Sequence, residues 1–177
     1  MESNICNLIG VTNGKVFKEL SLKRHMKFET RLPRRYGGKL LSLPVFDEHG
    51  QITQRAKDSL ENVLYLHSHL AKIHAKSSDN NPANFRVEQV YIVGSCARTN
   101  RINSDVDYLL ICPDIDDKSA NQLKTMISLV QYCDRPKNEA IDVFIRSCDK
   151  YPERASIDIT SQAREIIDKY NSCLVSD

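Results

Sequence analysis

The pattern of hydrophobic and polar positions divides the chain into one helical segment and a following series of strands and helices. Between Thr53 and Ala75 the apolar residues recur mostly at three- and four-residue spacings, which predicts a helix with Thr53 as its N-cap. Three segments rich in β-branched and aromatic residues predict strands, at 87–93 (VEQVYIV), 105–112 (DVDYLLIC) and 140–146 (AIDVFIR). Helical spacing returns at 119–133 and 161–170.

Strands that alternate with helices predict an α/β or α+β fold in which one β-sheet is backed by helices. The first fifty residues are less regular. There we expect a short helix at 16–28, an extended segment at 40–46 and a turn at 47–50. We therefore divide the chain into an N-terminal extension, residues 1–50, and a folded domain, residues 51–177.

Charge is unevenly distributed along the chain. The net charge is +2, yet the segment from Lys15 to Lys39 holds nine basic residues and two acidic ones. Such a segment either binds a polyanionic partner or is a basic surface in contact with water. No apolar run approaches the ~20 residues of a membrane span, and the N-terminus lacks the pattern of a signal peptide. The sequence predicts a cytoplasmic protein with no membrane partner, and its six cysteines, which form no C-x-x-C pair, predict reduced thiols.

Gly94 and Ser95 directly follow the first predicted strand and precede a possible helical turn at 95–100. Glycine lets the backbone approach a ligand closely. Backbone N–H groups at the start of a helix, together with the Ser95 hydroxyl, suit phosphate oxygens. The alternative interpretation is an ordinary turn between two elements.

Three aspartates lie within the next two predicted strands. Asp105 and Asp107 flank Val106, so the two-residue period of a strand puts both carboxylates on one face, opposite Val106 and Tyr108. Asp142 interrupts an apolar strand, where an unpaired charge is costly to bury. Grouped carboxylate oxygens favour Mg²⁺ or Mn²⁺. The alternatives are an exposed acidic strand end for the first pair and a solvent-facing edge position for Asp142.

The order of these groups resembles the nucleotidyltransferase superfamily that includes DNA polymerase beta and poly(A) polymerases, and most of all its small stand-alone members. The family pattern is a hydrophobic strand, Gly-[Gly/Ser], an Asp-x-[Asp/Glu] step and a later strand with a third acid. Here nine residues separate Ser95 from Asp105, and Asp142 follows Asp107 by 35 residues. The resemblance covers residues 55–147 approximately.

The resemblance implies a polymerase beta-like fold, with a small mixed sheet backed by helices, in residues 51–177. It also implies transfer of a nucleoside monophosphate from an NTP, with ATP as the expected donor, to an acceptor hydroxyl and release of pyrophosphate. The acceptor is a protein, an RNA end or a small molecule. The residues implied for nucleotide binding are Gly94, Ser95 and Arg98. Those implied for catalysis and for binding Mg²⁺ or Mn²⁺ are Asp105, Asp107 and Asp142.

The sequence departs from the family at Thr99, where family members usually have glycine. If this position requires a positive φ, a β-branched residue there is strained. Arg98, next to it, adds charge at the phosphates or is simply an exposed helical arginine. Thr99 and the basic segment together leave an alternative function, a catalytically weak or inactive relative that binds a nucleotide, RNA or a partner protein. The sequence leaves the oligomeric state open.

Overall fold

The computed structural model describes residues 43–100, 105–134, 141–148 and 155–175. The predicted helix at 16–28 and the first three residues of the predicted extended segment at 40–46 lie outside these ranges. In chain order the elements are α1 (Gln54–Ser78), a 3₁₀ turn (Pro82–Phe85), β1 (Gln89–Val93), α2 (Gly94–Thr99), β2 (Val106–Ile111), α3 (Asp117–Asp134), β3 (Ile141–Arg146), β4 (Ser156–Asp158) and α4 (Arg164–Val175).

The four described strands form one mixed sheet in the order β3-β2-β1-β4. Strand β1 is antiparallel to both β2 and β4, whereas β2 and β3 are parallel. A parallel pair needs a long crossover connection, and helix α3 lies between β2 and β3 in the chain. The predicted fold class, an α+β arrangement with a small mixed sheet backed by helices, is therefore confirmed.

Helix α1 provides one side of the main hydrophobic core because its apolar residues share a face. Leu60, Leu64 and Leu70 are almost completely buried, and the helix packs against α3 and α4. None of the helices within the described ranges combines the length and the hydrophobicity that a bilayer crossing requires.

The sheet has a buried apolar cluster on each of its faces. Along β2, Val106 and Tyr108 point toward the helices and belong to the main core. Leu109 and Ile111 point the other way and form a smaller buried cluster with Val93. This second face matters for the site, because the alternation along β2 puts Asp107 on it as well.

Residues before α1 pack into the same core. Val45 is fully buried and Phe46 nearly so, although both precede the predicted domain start at residue 51. The described part of the predicted extended segment is not a regular strand, since Phe46 forms only an isolated bridge with Ile52. The division of the chain at residue 50 stays a prediction.

The predicted turn at 47–50 is present. The Asp47 carboxylate accepts hydrogen bonds from the backbone N–H groups of His49 and Gln51, at 2.9 and 2.8 Å. Gly50 follows with φ +73°. Thr53 then occupies the N-cap position of α1 as predicted, but its hydroxyl donates to the Pro44 carbonyl at 2.7 Å and makes no cap hydrogen bond. The preceding turn brings that carbonyl within reach.

His67 is a buried titratable group on α1. Its Nε2 lies 3.7 Å from the Cys112 Sγ, and burial lowers the pKa of the imidazole from its ordinary 6.5 to about 4. His74, about two turns further along the same helix, is also buried and packs edge-on against Phe85. Burial lowers the pKa of His74 too, an effect that the nearby Asp116 carboxylate partly offsets.

We expect the free energy of unfolding to decrease as the pH falls from about 6.5 to about 4. In that window the unfolded chain binds a proton at His67 that the folded chain does not bind. The stability that neutral His67 contributes is therefore fully present above pH 6.5 and is lost progressively as the pH falls toward 4. The contribution of His67 is about 3 kcal/mol. Urea unfolding at several pH values measures it.

The matched variants for this measurement are His67→Leu and His49→Leu. The first removes the buried titrating group and should reduce the slope of stability against pH, leaving the part that His74 contributes. The second removes an exposed imidazole and controls for the loss of a histidine side chain as such. Equal slopes in the wild-type protein and His67→Leu would show that His67 does not titrate differently on folding.

Candidate metal centre

The register of the parallel strands β2 and β3 places two of the predicted acids side by side. Asp107 is paired with Asp142, and on the other side of β2 it is paired with Val93 of β1. Directly paired residues point to the same face of a sheet, so the two carboxylates are neighbours. The predicted alternation along β2 is confirmed, because Val106 and Tyr108 are buried in the main core.

Asp105 joins this pair from just before the start of β2. One carboxylate oxygen from each of Asp105, Asp107 and Asp142 can be chosen so that all three lie within 4.8 Å of one another. Asp107 is half-buried and the other two are exposed. The predicted convergence of the three carboxylates is therefore present, and Asp142 does not point to the opposite side of the sheet.

The donor set fits a hard divalent cation. Three like charges this close repel one another, and an ion with a charge of +2 removes that repulsion while accepting the oxygens as ligands. Mg²⁺ typically takes one or two carboxylates and completes its shell with water and substrate phosphates, so exposed ligands suit it. The residues that would hold Mg²⁺ or Mn²⁺ are Asp105, Asp107 and Asp142.

Gly94 lies directly against Asp107. The glycine has φ +74°, and a Cβ built on it would lie 2.2 Å from Oδ2 of Asp107. No side chain fits there unless the carboxylate moves. The sequence predicts that a ligand approaches this glycine closely, whereas in the structure the Asp107 carboxylate of the candidate centre does so.

Ser95 and Arg98 lie on the short helix that follows. Ser95 is half-buried near the start of α2, and Arg98 is exposed in its last turn. The predicted helical turn at 95–100 is confirmed as α2, Gly94–Thr99. The roles of Gly94, Ser95 and Arg98 toward a triphosphate stay predictions.

Thr99 is not in a left-handed conformation. Within the described ranges the positive φ values of non-glycine residues belong to Asp79 and Asn100. Thr99 is the last residue of α2, and its hydroxyl donates to the Ser95 carbonyl at 3.0 Å. Thr99 therefore carries none of the strain that a positive φ would impose, and the left-handed residue is Asn100, one position later.

Two contacts of α2 are not predictable from the sequence. The Cys96 thiol donates to the backbone carbonyl of Asp105 at 3.1 Å. Asn100 ends the helix with φ +47°, and its side chain binds the backbone of Val45 and Phe46. Asparagine after a short helix is a known C-terminal signal, but the sequence does not show which segment its side chain reaches.

In comparisons with known proteins, no protein-family model, no curated protein and no solved structure matches the chain significantly.

Proposed function

We propose that this protein is a metal-dependent nucleotidyltransferase that transfers a nucleoside monophosphate from an NTP to an acceptor hydroxyl. The observation that supports this function best is the convergence of Asp105, Asp107 and Asp142 at one end of a parallel strand pair. The position of Gly94 against Asp107 adds to it, because it brings the start of helix α2 next to the carboxylates. Gly94, Asp105 and Asp107 come from one short motif in the sequence, and Asp142 comes from the strand that follows helix α3.

In this proposal some residues bind the triphosphate and others hold the metal ions. The N–H groups of Gly94 and Ser95 bind the β- and γ-phosphates, and Arg98 adds positive charge there. Asp105 and Asp107 hold the divalent ions, and Asp142 completes the metal site on the acceptor side. When bound, these ions stabilise the attacking and leaving oxygens of an in-line displacement at phosphorus.

The transfer forms one bond at the α-phosphorus, breaks another and releases the proton of the acceptor hydroxyl. The acceptor hydroxyl forms a bond to the α-phosphorus, and the bond from the α-phosphorus to the oxygen that bridges to the β-phosphorus breaks. Pyrophosphate leaves with that oxygen. Asp142, on the acceptor side of the centre, accepts the hydroxyl proton as a general base. The carboxylate of Asp142 is exposed, so an acceptor has access to it.

The proposal leaves three acceptor classes: a protein, an RNA end and a small molecule. The basic segment from Lys15 to Lys39 suits a polyanion such as RNA. That segment lies outside the described residues, so it does not decide between the three classes.

The experiment that tests the function follows the label of an NTP. We would incubate the protein with each NTP, labelled at the α- or the γ-phosphate, with Mg²⁺ or Mn²⁺ and a lysate of the host cells. We expect an acceptor to retain label from the α-position only, with ATP as the best donor and pyrophosphate as the product. Asp114→Asn, which changes an exposed carboxylate beyond the other end of β2, is the control that should keep full activity.

Other outcomes identify other functions. Label retained from the γ-phosphate would indicate a kinase and contradict the proposal. Binding of an NTP with no metal-dependent release of pyrophosphate would favour the alternative, a nucleotide-, RNA- or partner-binding module.

A further inference from the structure

Helix α2 depends on contacts with the rest of the protein for its position. It has six residues, and a helix this short is not stable by itself. Two of its contacts reach the candidate centre directly, at Gly94 against the Asp107 carboxylate and at the Cys96 thiol, which donates to the Asp105 carbonyl. The third is at its C-terminal end, where Asn100 lies.

Asn100 joins the end of α2 to the segment that precedes α1. Its backbone N–H donates to the Cys96 carbonyl at 3.0 Å. Its side-chain oxygen accepts from the N–H groups of Val45 and Phe46, both at 2.9 Å, and its side-chain nitrogen donates to the Phe46 carbonyl at 2.7 Å. These three bonds pair the N–H groups of Val45 and Phe46 and the Phe46 carbonyl, which a neighbouring strand would pair in a regular sheet.

The segment that Asn100 binds is itself held in place by burial and by a hydrogen bond. Val45 is fully buried and Phe46 is 6% exposed, and both belong to the main core. The Arg55 side chain, buried at the start of α1, donates to the Leu43 carbonyl at 3.0 Å in the same segment. Asn100 therefore connects the C-terminal end of a short helix to a segment that is packed into the main core.

We propose that Asn100 is a positioning residue for the metal centre, an inference that rests on the proposed function. By holding the C-terminal end of α2, its amide fixes the orientation of the helix and hence the turn at Gly94. That turn sets where the Asp107 carboxylate lies, and Cys96 fixes the backbone of Asp105. Asn100 touches neither metal nor substrate in this arrangement, so it acts only through α2.

A purely structural role would give Asn100 an effect on stability alone, and the chain contains a matched residue that distinguishes the two roles. Asn171 on α4 accepts from the Val87 N–H at 3.0 Å and donates to the Val87 carbonyl at 2.8 Å. This bond pair holds the chain ahead of β1, at the end of that strand remote from Gly94. Asn171 thus makes the same kind of amide contact away from the carboxylates.

The test compares Asn100→Gly with Asn171→Ala. Glycine suits the positive φ of position 100 and alanine suits a helix, so each substitution removes the amide with little change in backbone preference. We would measure the thermal midpoint, the affinity for Mn²⁺ in the presence of NTP, and the transfer rate at a temperature where both variants are folded. Both should lower the thermal midpoint. Only Asn100→Gly should weaken Mn²⁺ binding and transfer, by about tenfold, because small displacements of catalytic groups have effects of this size or larger.

Equal Mn²⁺ affinities in Asn100→Gly, Asn171→Ala and the wild-type protein would overturn the inference and leave Asn100 a structural residue. If Asn100→Gly does not fold, Asn100→Asp takes its place. The aspartate keeps the oxygen that accepts from Val45 and Phe46 but loses the donor to the Phe46 carbonyl. We expect a smaller loss of Mn²⁺ affinity, and an unchanged affinity would overturn the inference. A wild-type protein that binds no Mn²⁺ would instead contradict the proposed function itself.

Discussion

Replacing Asp107 by Asn should abolish nearly all nucleotidyl transfer, with a fall in rate of about a thousandfold or more. The substitution removes a carboxylate that would coordinate the divalent ions. Such ions supply several kcal/mol of transition-state stabilisation in reactions of this class. Asp105→Asn should have the same effect.

Asp142→Asn should spare much of the NTP binding and still suppress the chemical step, because its proposed role is on the acceptor side. Transfer assays and NTP binding measured together separate these outcomes.

Stability provides an independent measurement on the same variants. Asn has nearly the shape of Asp, and removing one of three like charges relieves repulsion, so the metal-free variants should be as stable as the wild type or more stable. The wild-type protein should gain stability as Mn²⁺ is added, and Asp107→Asn should not. Asp114→Asn should behave as the wild type does. Wild-type turnover in Asp105→Asn would show that any transfer seen uses another site.

Gly94→Ala should damage the metal centre as well as the fold. The new methyl group would lie 2.2 Å from Oδ2 of Asp107, so the carboxylate must move away from its partners. The substitution also places alanine at φ +74°, a left-handed conformation that costs about 1–2 kcal/mol for a residue with a Cβ. We expect lower stability, much weaker Mn²⁺ binding and a loss of transfer similar to that of Asp107→Asn.

Gly50→Ala is the matched control for this prediction. Gly50 has nearly the same conformation, φ +73°, but among the described residues, its chain neighbours aside, no heavy atom lies within 4 Å of the position that its Cβ would occupy. The control therefore introduces the backbone strain without the clash. It should lower the free energy of unfolding and leave the Mn²⁺ affinity unchanged. If the two variants bind Mn²⁺ equally well, Gly94 has no special relation to the carboxylate.

The parts of the fold that sequence could predict are those with a strong local pattern. Helix α1 follows its helical period, and strands β1, β2 and β3 coincide with segments rich in β-branched and aromatic residues, with ends that differ from prediction by a few residues. The short strand β4 was missed. It has three residues, two of them exposed, and it exists because Ser156 and its neighbours pair with the end of β1. Such pairing depends on tertiary structure and leaves no local pattern.

The site shows the same division between local and long-range information. The period of a strand sufficed to predict that Asp105 and Asp107 share a face, whereas the placement of Asp142 beside them was implied only by the resemblance to the nucleotidyltransferase superfamily. The contact between Gly94 and Asp107 joins residues 13 positions apart, and the bonds from Asn100 to Val45 join residues 55 positions apart. No spacing in the sequence specifies them.

We propose that Asp105, Asp107 and Asp142 form one centre that binds a divalent ion together with a nucleoside triphosphate. This can be tested with crystals grown with Mn²⁺ and a non-hydrolysable NTP analogue and measured at a wavelength where manganese scatters anomalously. We expect anomalous density in contact with oxygens of all three carboxylates, and a triphosphate whose β- and γ-phosphates contact the backbone at Gly94 and Ser95. Manganese bound elsewhere, or a triphosphate that does not approach Gly94 and Ser95, would contradict it.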